Sequence, residues 1–126
     1  MFLVPTQLGR SSIHGIGVFA TNDIPAGTKV WEFTEGVDWR ISVDDFDRFP
    51  EPFLSQLRHW CYKEPEGDYI LCGDNAKFMN HSESPNCDDN GTSWTITNRD
   101  IAAGEELTCD YREFDADWQN DPLHGG

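Results

Sequence analysis

The pattern that most constrains this chain is a series of short β-rich runs cut off by glycine and interrupted once by a stretch of helical spacing. LVPTQLG (3–9), GIGVFAT (15–21) and KVWEFTEG (29–36) succeed one another. Val30, Trp31 and Phe33 supply the bulk that suits a pleated, half-buried surface. Residues 42–61 change period. Ser42 with Asp45 resembles a capping box, Phe46 and Phe49 follow at helical spacing, and Pro52 opens a second segment carrying Phe53, Leu57 and Trp60. DYILC (68–72) returns to strand, NHSESPN (80–86) reads as a polar loop, and SWTITNRDI (93–101) pairs with a preceding strand through DDNGT (88–92). The expected fold is mainly β, with two short helices inserted.

One internal echo stands out. DIPAGTKV (23–30) and DIAAGEEL (100–107) share an isoleucine, a turn glycine and a following strand. Two copies do not make a solenoid. They predict two similar turns in which Ile24 and Ile101 plug the core while Gly27 and Gly104 take backbone angles closed to other residues.

The length of 126 residues fits a single domain over 1–126, and 37% hydrophobic content supplies a core despite a net charge of −14. That charge disfavours phosphate backbones and anionic lipid, so neither nucleic acid nor membrane is an expected partner, and it favours a basic one. Pro5 cuts MFLV short of a signal-peptide core, and a cytoplasmic location is expected. Cys61, Cys72, Cys87 and Cys109 form no CxxC pair, so they read as reduced and mostly buried. His59 and Cys61 lack a second ligand pair, and no metal is expected.

Chemistry concentrates in HGIGVFA (14–20), GDNAKFMNHSESPNC (73–87) and GEELTCDY (104–111). Gly15 and Gly17 let backbone approach a ligand or close a tight hairpin. Asn80 donates and accepts, and His81 offers ring nitrogens, which suits a purine and a charged amino-acid tail. Ser82, Ser84, Pro85 and Asn86 equally suit a loop that caps itself. In this order and spacing the three segments resemble the SET domain, the lysine methyltransferase family that uses S-adenosylmethionine.

The resemblance implies a SET β-clip: several small curved sheets, a short helical insert and a C-terminal segment threaded into a knot-like site. Its motif core runs over about 8–111, with a tail over 112–126. It places Tyr111 as the catalytic residue, aligning nitrogen, carbon and sulfur for an in-line methyl transfer. Cofactor contacts are implied for His14, Gly15, Ile16, Gly17, Lys77, Phe78, Asn80, His81 and Trp118. Tyr62, Tyr69, Cys109 and Phe114 are implied in the substrate channel, Cys109 setting how many methyl groups are added.

The chain departs from the family at several positions. Ile16 stands where many members carry tryptophan, Glu83 where many carry cysteine, and Thr34 where a channel tyrosine would align, so either the channel is more open or Tyr62 or Tyr69 takes that part. The zinc-binding cysteine cluster of some subfamilies is absent, and Trp118 with Phe114 closes the site instead. The implied substrate is a lysine-containing basic protein or peptide, with a nuclear or host-nuclear location if it is a histone, and a homodimer is compatible. The rival readings are a catalytically silent peptide-binding module and a structural, dimerising β-clip without cofactor.

Overall fold

Small paired strands build the computed structural model, which describes residues 1–90 and 93–113. Strands β1 (Thr6–Arg10) and β2 (Ile16–Ala20) form a hairpin with Gly9 opposite Gly17. Next come β3 (Lys29–Glu32) and β4 (Trp39–Ile41), then the helical insert, α1 (Val43–Asp47) and α2 (Phe53–Trp60). Beyond it lie β5 (Tyr62–Lys63), β6 (Tyr69–Leu71), a 3-10 turn (Asn75–Phe78) and β7 (Asn80–His81). β8 (Cys87–Asn90), β9 (Trp94–Thr97), β10 (Glu106–Cys109) and a 3-10 turn (Tyr111–Glu113) complete the order. Three sheets result: β1-β2-β10-β7, β3-β9-β8 and β4-β6-β5.

The helical insert follows the expected caps. Ser42 accepts from the Asp45 amide, and α2 starts directly after Pro52. Phe46 and Leu57 are buried, with Cys61 and Tyr69 completing their cluster. Phe49 falls past the end of α1 and packs edge-on against Phe53 at the surface, so these two rings are not core despite their helical spacing. The loop expected at 80–86 contains β7, which runs parallel to β10 with Asn80 opposite Thr108 and His81 opposite Cys109. A partner 28 residues away in sequence leaves no local signal for so short a strand.

The larger core gathers Val18, Ala20, Ile24, Val30, Met79, Cys87, Ile101, Leu107 and Cys109. The two echoed turns meet inside it. Ile24 and Ile101 exchange both backbone hydrogen bonds at 2.8 Å. Asp23 accepts from the Ala103 amide and Asp100 from the Ala26 amide, each at 2.8 Å. Gly27 and Gly104 have φ of 81° and 86°, so the repeat is one turn used twice, each copy capping the other. All four cysteines are buried thiols. Among the described residues no helix is long and apolar enough to cross a membrane.

Candidate active site

Strand β10 carries the site. Its GEELTCDY run supplies a carboxylate toward the hairpin loop at one end and Tyr111 at the other. The hairpin loop Ser11–Gly15 closes through a 2.8 Å bond from the Ser11 amide to the Gly15 carbonyl, and Gly15 takes φ of 47°. Gly17 is glycine for a different reason: a Cβ there would lie 2.3 Å from Glu106 Oε2. That carboxylate accepts from Ser11 Oγ at 2.8 Å and from Asn80 Nδ2 at 3.0 Å. Asn80 Nδ2 also donates to the carbonyls of His14 (3.0 Å) and Ile16 (3.2 Å). The Asn80 amide is therefore committed to clamping the hairpin loop onto β7 and β10. What it leaves for a ligand is the exposed face of His14 and of Ile16, which is 51% exposed.

Asn86, the other motif asparagine, is 2% exposed and acts as a strand partner. Its Nδ2 donates to the Glu106 carbonyl (2.8 Å) and its Oδ1 accepts from the Thr108 amide (2.9 Å). The self-capping loop read from Ser82–Asn86 thus caps β10 as well as itself, Ser82 Oγ accepting from the Ser84 amide.

Tyr111 follows β10 in a 3-10 turn, its amide donating to His81 Nδ1 at 3.1 Å, which makes Nδ1 the unprotonated ring nitrogen. Its hydroxyl donates to the Met79 carbonyl. Asp110 is locked by Arg112, whose guanidinium holds the carboxyl below its ordinary value.

A cavity with about 630 Å³ of empty space, its mouth included, opens beside Tyr111. Met79 and Cys109 form the wall next to Tyr111; Trp31, Thr95 and Asp89 come from the β3-β9-β8 sheet; Trp60, Tyr62 and Lys77 complete it. Burial pushes the Tyr62 hydroxyl and the Cys72 and Cys109 thiols above their ordinary ranges and the Cys87 thiol up to about 12, so all stay protonated at neutral pH. Burial also lifts the Asp89 carboxyl to about 7, against the hydrogen bond from Thr95 Oγ1 to Asp89 Oδ1 at 2.5 Å. No cluster of three or more metal-ligating side chains occurs among the described residues.

The cavity brings together Tyr111, Tyr62, Cys109 and Lys77 of the residues singled out in the sequence. Lys77 Nζ lies 5.4 Å from the Trp60 ring centre and 5.5 Å from that of Phe78. His14, Gly15, Ile16 and Gly17 lie on the neighbouring hairpin with Asn80 bonded to them, while His81 turns to the Tyr111 amide. Tyr69 sits elsewhere, stacked on Phe46 at 3.8 Å in the second core. Thr34 is also outside the wall; its amide donates to Asp38, and it is Tyr62 that supplies a cavity tyrosine. Phe114 and Trp118 lie outside the described residues, as does the segment expected to be threaded. Sequence reading missed Trp31, Trp60, Met79 and Asp89. For Asp89 the signal was strand alternation in Cys87–Asn90, which turns Asp88 outward and Asp89 in.

The chain belongs to the SET domain family: residues 15–112 match its family model. Histone-lysine N-methyltransferase 2D of Homo sapiens is 30% identical over 94% of this chain, and Histone-lysine N-methyltransferase trithorax of Drosophila virilis is 34% identical over 82%. The chain spans only 2% and 3% of those relatives. Among solved structures, a humanized mutant of the Chaetomium thermophilum Polycomb Repressive Complex 2 bound to an inhibitor superposes with a TM-score of 0.66 and 27% identity. The match covers 88% of this chain and 15% of that one. The mainly β architecture of several small sheets is that of the family.

Proposed function

We propose that the chain is an S-adenosylmethionine-dependent methyltransferase acting on lysine side chains of a basic protein or peptide. The observation that carries this reading is the meeting of the Tyr111 hydroxyl with the Met79 carbonyl at the wall of an aromatic cavity, next to the hairpin loop that Asn80 clamps. The loop fits the cofactor: the exposed His14 and Ile16 offer an imidazole and an apolar surface to an amino acid and a purine. His81 orients the segment from the other side. When bound, S-adenosylmethionine supplies an electrophilic methyl group.

The chain's own work is positioning. Tyr111 commits its proton to Met79 and keeps its lone pairs for a neighbouring donor. Burial of an entering lysine in the cavity disfavours its charged form and lowers its pKa from the free value of about 10.4. The acidic surface steers a basic substrate in. Histones are one such substrate, being what the relatives' names specify, and the cell compartment follows from the substrate: cytoplasm, or nucleus for a histone.

Cys109 is 3% exposed and lines the cavity, where its small thiol leaves space beside an amine. The expected wild-type product therefore extends past monomethyl, and Cys109→Tyr shifts it back. Intact-mass spectrometry of a core-histone mixture and a lysine-rich peptide, incubated with excess S-adenosylmethionine, tests both statements. Absence of any 14-dalton increment refutes the activity, and an unchanged product distribution in Cys109→Tyr removes that residue from product control.

A further inference from the structure

Among the described residues only two buried side-chain polar atoms lack a hydrogen-bond partner, Trp31 Nε1 and Asp89 Oδ2, and both residues line the cavity beside Tyr111. Two such groups on residues of one cavity wall mark a place where a polar guest, met by a small side-chain adjustment, completes the structure, because leaving them unpaired costs free energy that native folds avoid. The carboxylate's other oxygen is tied to Thr95 Oγ1, which fixes the side chain and leaves Oδ2 as its open acceptor. Trp31, Trp60, Tyr62 and Tyr111 surround that space with aromatic surface, which attracts cations.

We infer that Asp89 receives the substrate amine in this cavity and takes up the proton the amine must lose before it can attack. The inference rests on the reading of the chain as a lysine methyltransferase. In the step, one N–H bond of the ammonium breaks, an O–H bond forms on Asp89 Oδ2, and the electron pair stays on nitrogen. The amine becomes neutral and nucleophilic while the carboxyl becomes neutral in a site that disfavours its charge.

The surroundings support that direction of transfer. Glu113 Oε2 accepts from the Asp89 amide at 3.1 Å, and Glu113, Asp88 and Asp110 all raise the affinity of Asp89 for a proton. From the facing elements, Tyr62, Cys72 and Cys109 stay protonated and contribute no charge at neutral pH. The lining cation Lys77 packs on the Trp60 and Phe78 rings, and His59 enters the wall from α2. Burial together with the neighbouring carboxylates leaves Asp89 titrating at about 7, where it switches between base and acid under ordinary conditions.

The test has two arms. In the first, methylation of a lysine-rich peptide is followed against pH for wild type and Asp89→Asn. The variant is expected to lose about 100-fold or more in kcat/KM at neutral pH, the usual scale of general-base catalysis, and to recover progressively as pH rises toward about 10.4, where half of the free amine is neutral. Binding of S-adenosylhomocysteine stays unchanged. Thr95→Val, which removes the bond holding the carboxyl down, is expected to move the acid limb of the profile upward, and it serves if Asp89→Asn does not fold.

In the second arm, the Asp89 carboxyl carbon is titrated by NMR with and without n-butylammonium, a probe that needs no turnover. The amine is expected to shift the Asp89 resonance and its titration midpoint, and sodium at equal ionic strength is expected not to. If wild type methylates and both variants keep its rate and profile, the assignment of Asp89 falls while the enzymatic reading stands. If neither the wild type nor a variant methylates, the NMR arm decides alone, and an Asp89 carboxyl indifferent to n-butylammonium overturns the inference.

Discussion

Replacing Asn86 by alanine removes a side chain that stands in for a strand. The amide supplies the Glu106 carbonyl with its donor at 2.8 Å and the Thr108 amide with its acceptor at 2.9 Å, in a position 2% exposed. Alanine leaves two buried backbone groups of β10 unpaired, at roughly 1–3 kcal/mol each, so the expected loss is about 2–6 kcal/mol. For a domain whose total stability is about 5–15 kcal/mol, that is a large part of the whole. With urea slopes of about 1–3 kcal/mol/M, the unfolding midpoint drops by at least about 0.7 M.

Asn86→Asp sharpens the test. It keeps the acceptor for Thr108 but sets a carboxylate oxygen against the Glu106 carbonyl. Its folded pKa rises, so stability lost at neutral pH returns on acidification as the carboxyl protonates and donates. Asn98→Ala is the control, since its bonds to the Pro85 carbonyl (2.9 Å) and Asp88 (3.0 Å) are exposed. Equilibrium urea unfolding at neutral and acid pH measures all three. A midpoint for Asn86→Ala within about 0.3 M of wild type, at equal slope, would refute the claim that this amide holds β10.

Asn80→Ala frees the His14–Gly17 loop from β7; calorimetric titration is expected to show at least about tenfold weaker S-adenosylhomocysteine binding in a folded protein, about 1.4 kcal/mol. Tyr111→Phe deletes the donor to the Met79 carbonyl but none of the ring packing against His81, at 5.5 Å between centres. It is expected to retain its melting temperature within a few degrees and lose most turnover, read by the same mass-spectrometric assay. Asp89 ordinarily releases its proton at 3.8 and in the fold at about 7. The folded state therefore binds the extra proton between those values, and stability falls as pH rises from about 4 to about 7, by roughly 4 kcal/mol in all. Asp89→Asn is expected to flatten that slope in thermal melts across pH.

Local chemistry made much of the fold legible. Ser42 and Pro52 mark the starts of α1 and α2, β9 pairs antiparallel with the β8 strand that precedes it, and the Ile24 and Ile101 echo became a shared bridge. What escaped is set by distant partners. Phe49 and Phe53 have helical spacing but no core opposite them, while Tyr69 has Phe46. In the site, Asn80 and His81 were legible as polar groups of a motif. Their employment was not, because the acceptors on residues 14 and 16 and the Tyr111 amide arrive from far along the chain. Asp89 looked like turn chemistry beside an Asn-Gly pair, and only its burial as a residue of β8 made it a proton-binding group.

The paired DIPAG and DIAAG turns carry a consequence for the order of events during synthesis. Each aspartate caps the turn that its counterpart begins, and each isoleucine amide finds its acceptor only on the other copy. Neither half is finished by itself. A chain emerging from the ribosome holds an open first turn until residue 104 is free. The N-terminal strands then wait on the last motif, and the two turns form a latch that shuts when nearly all of the domain exists. Hydrogen exchange should accordingly report the amides of Ile24 and Ile101, 77 positions apart, opening with one common rate; unequal protection would show the latch to be two separate hinges.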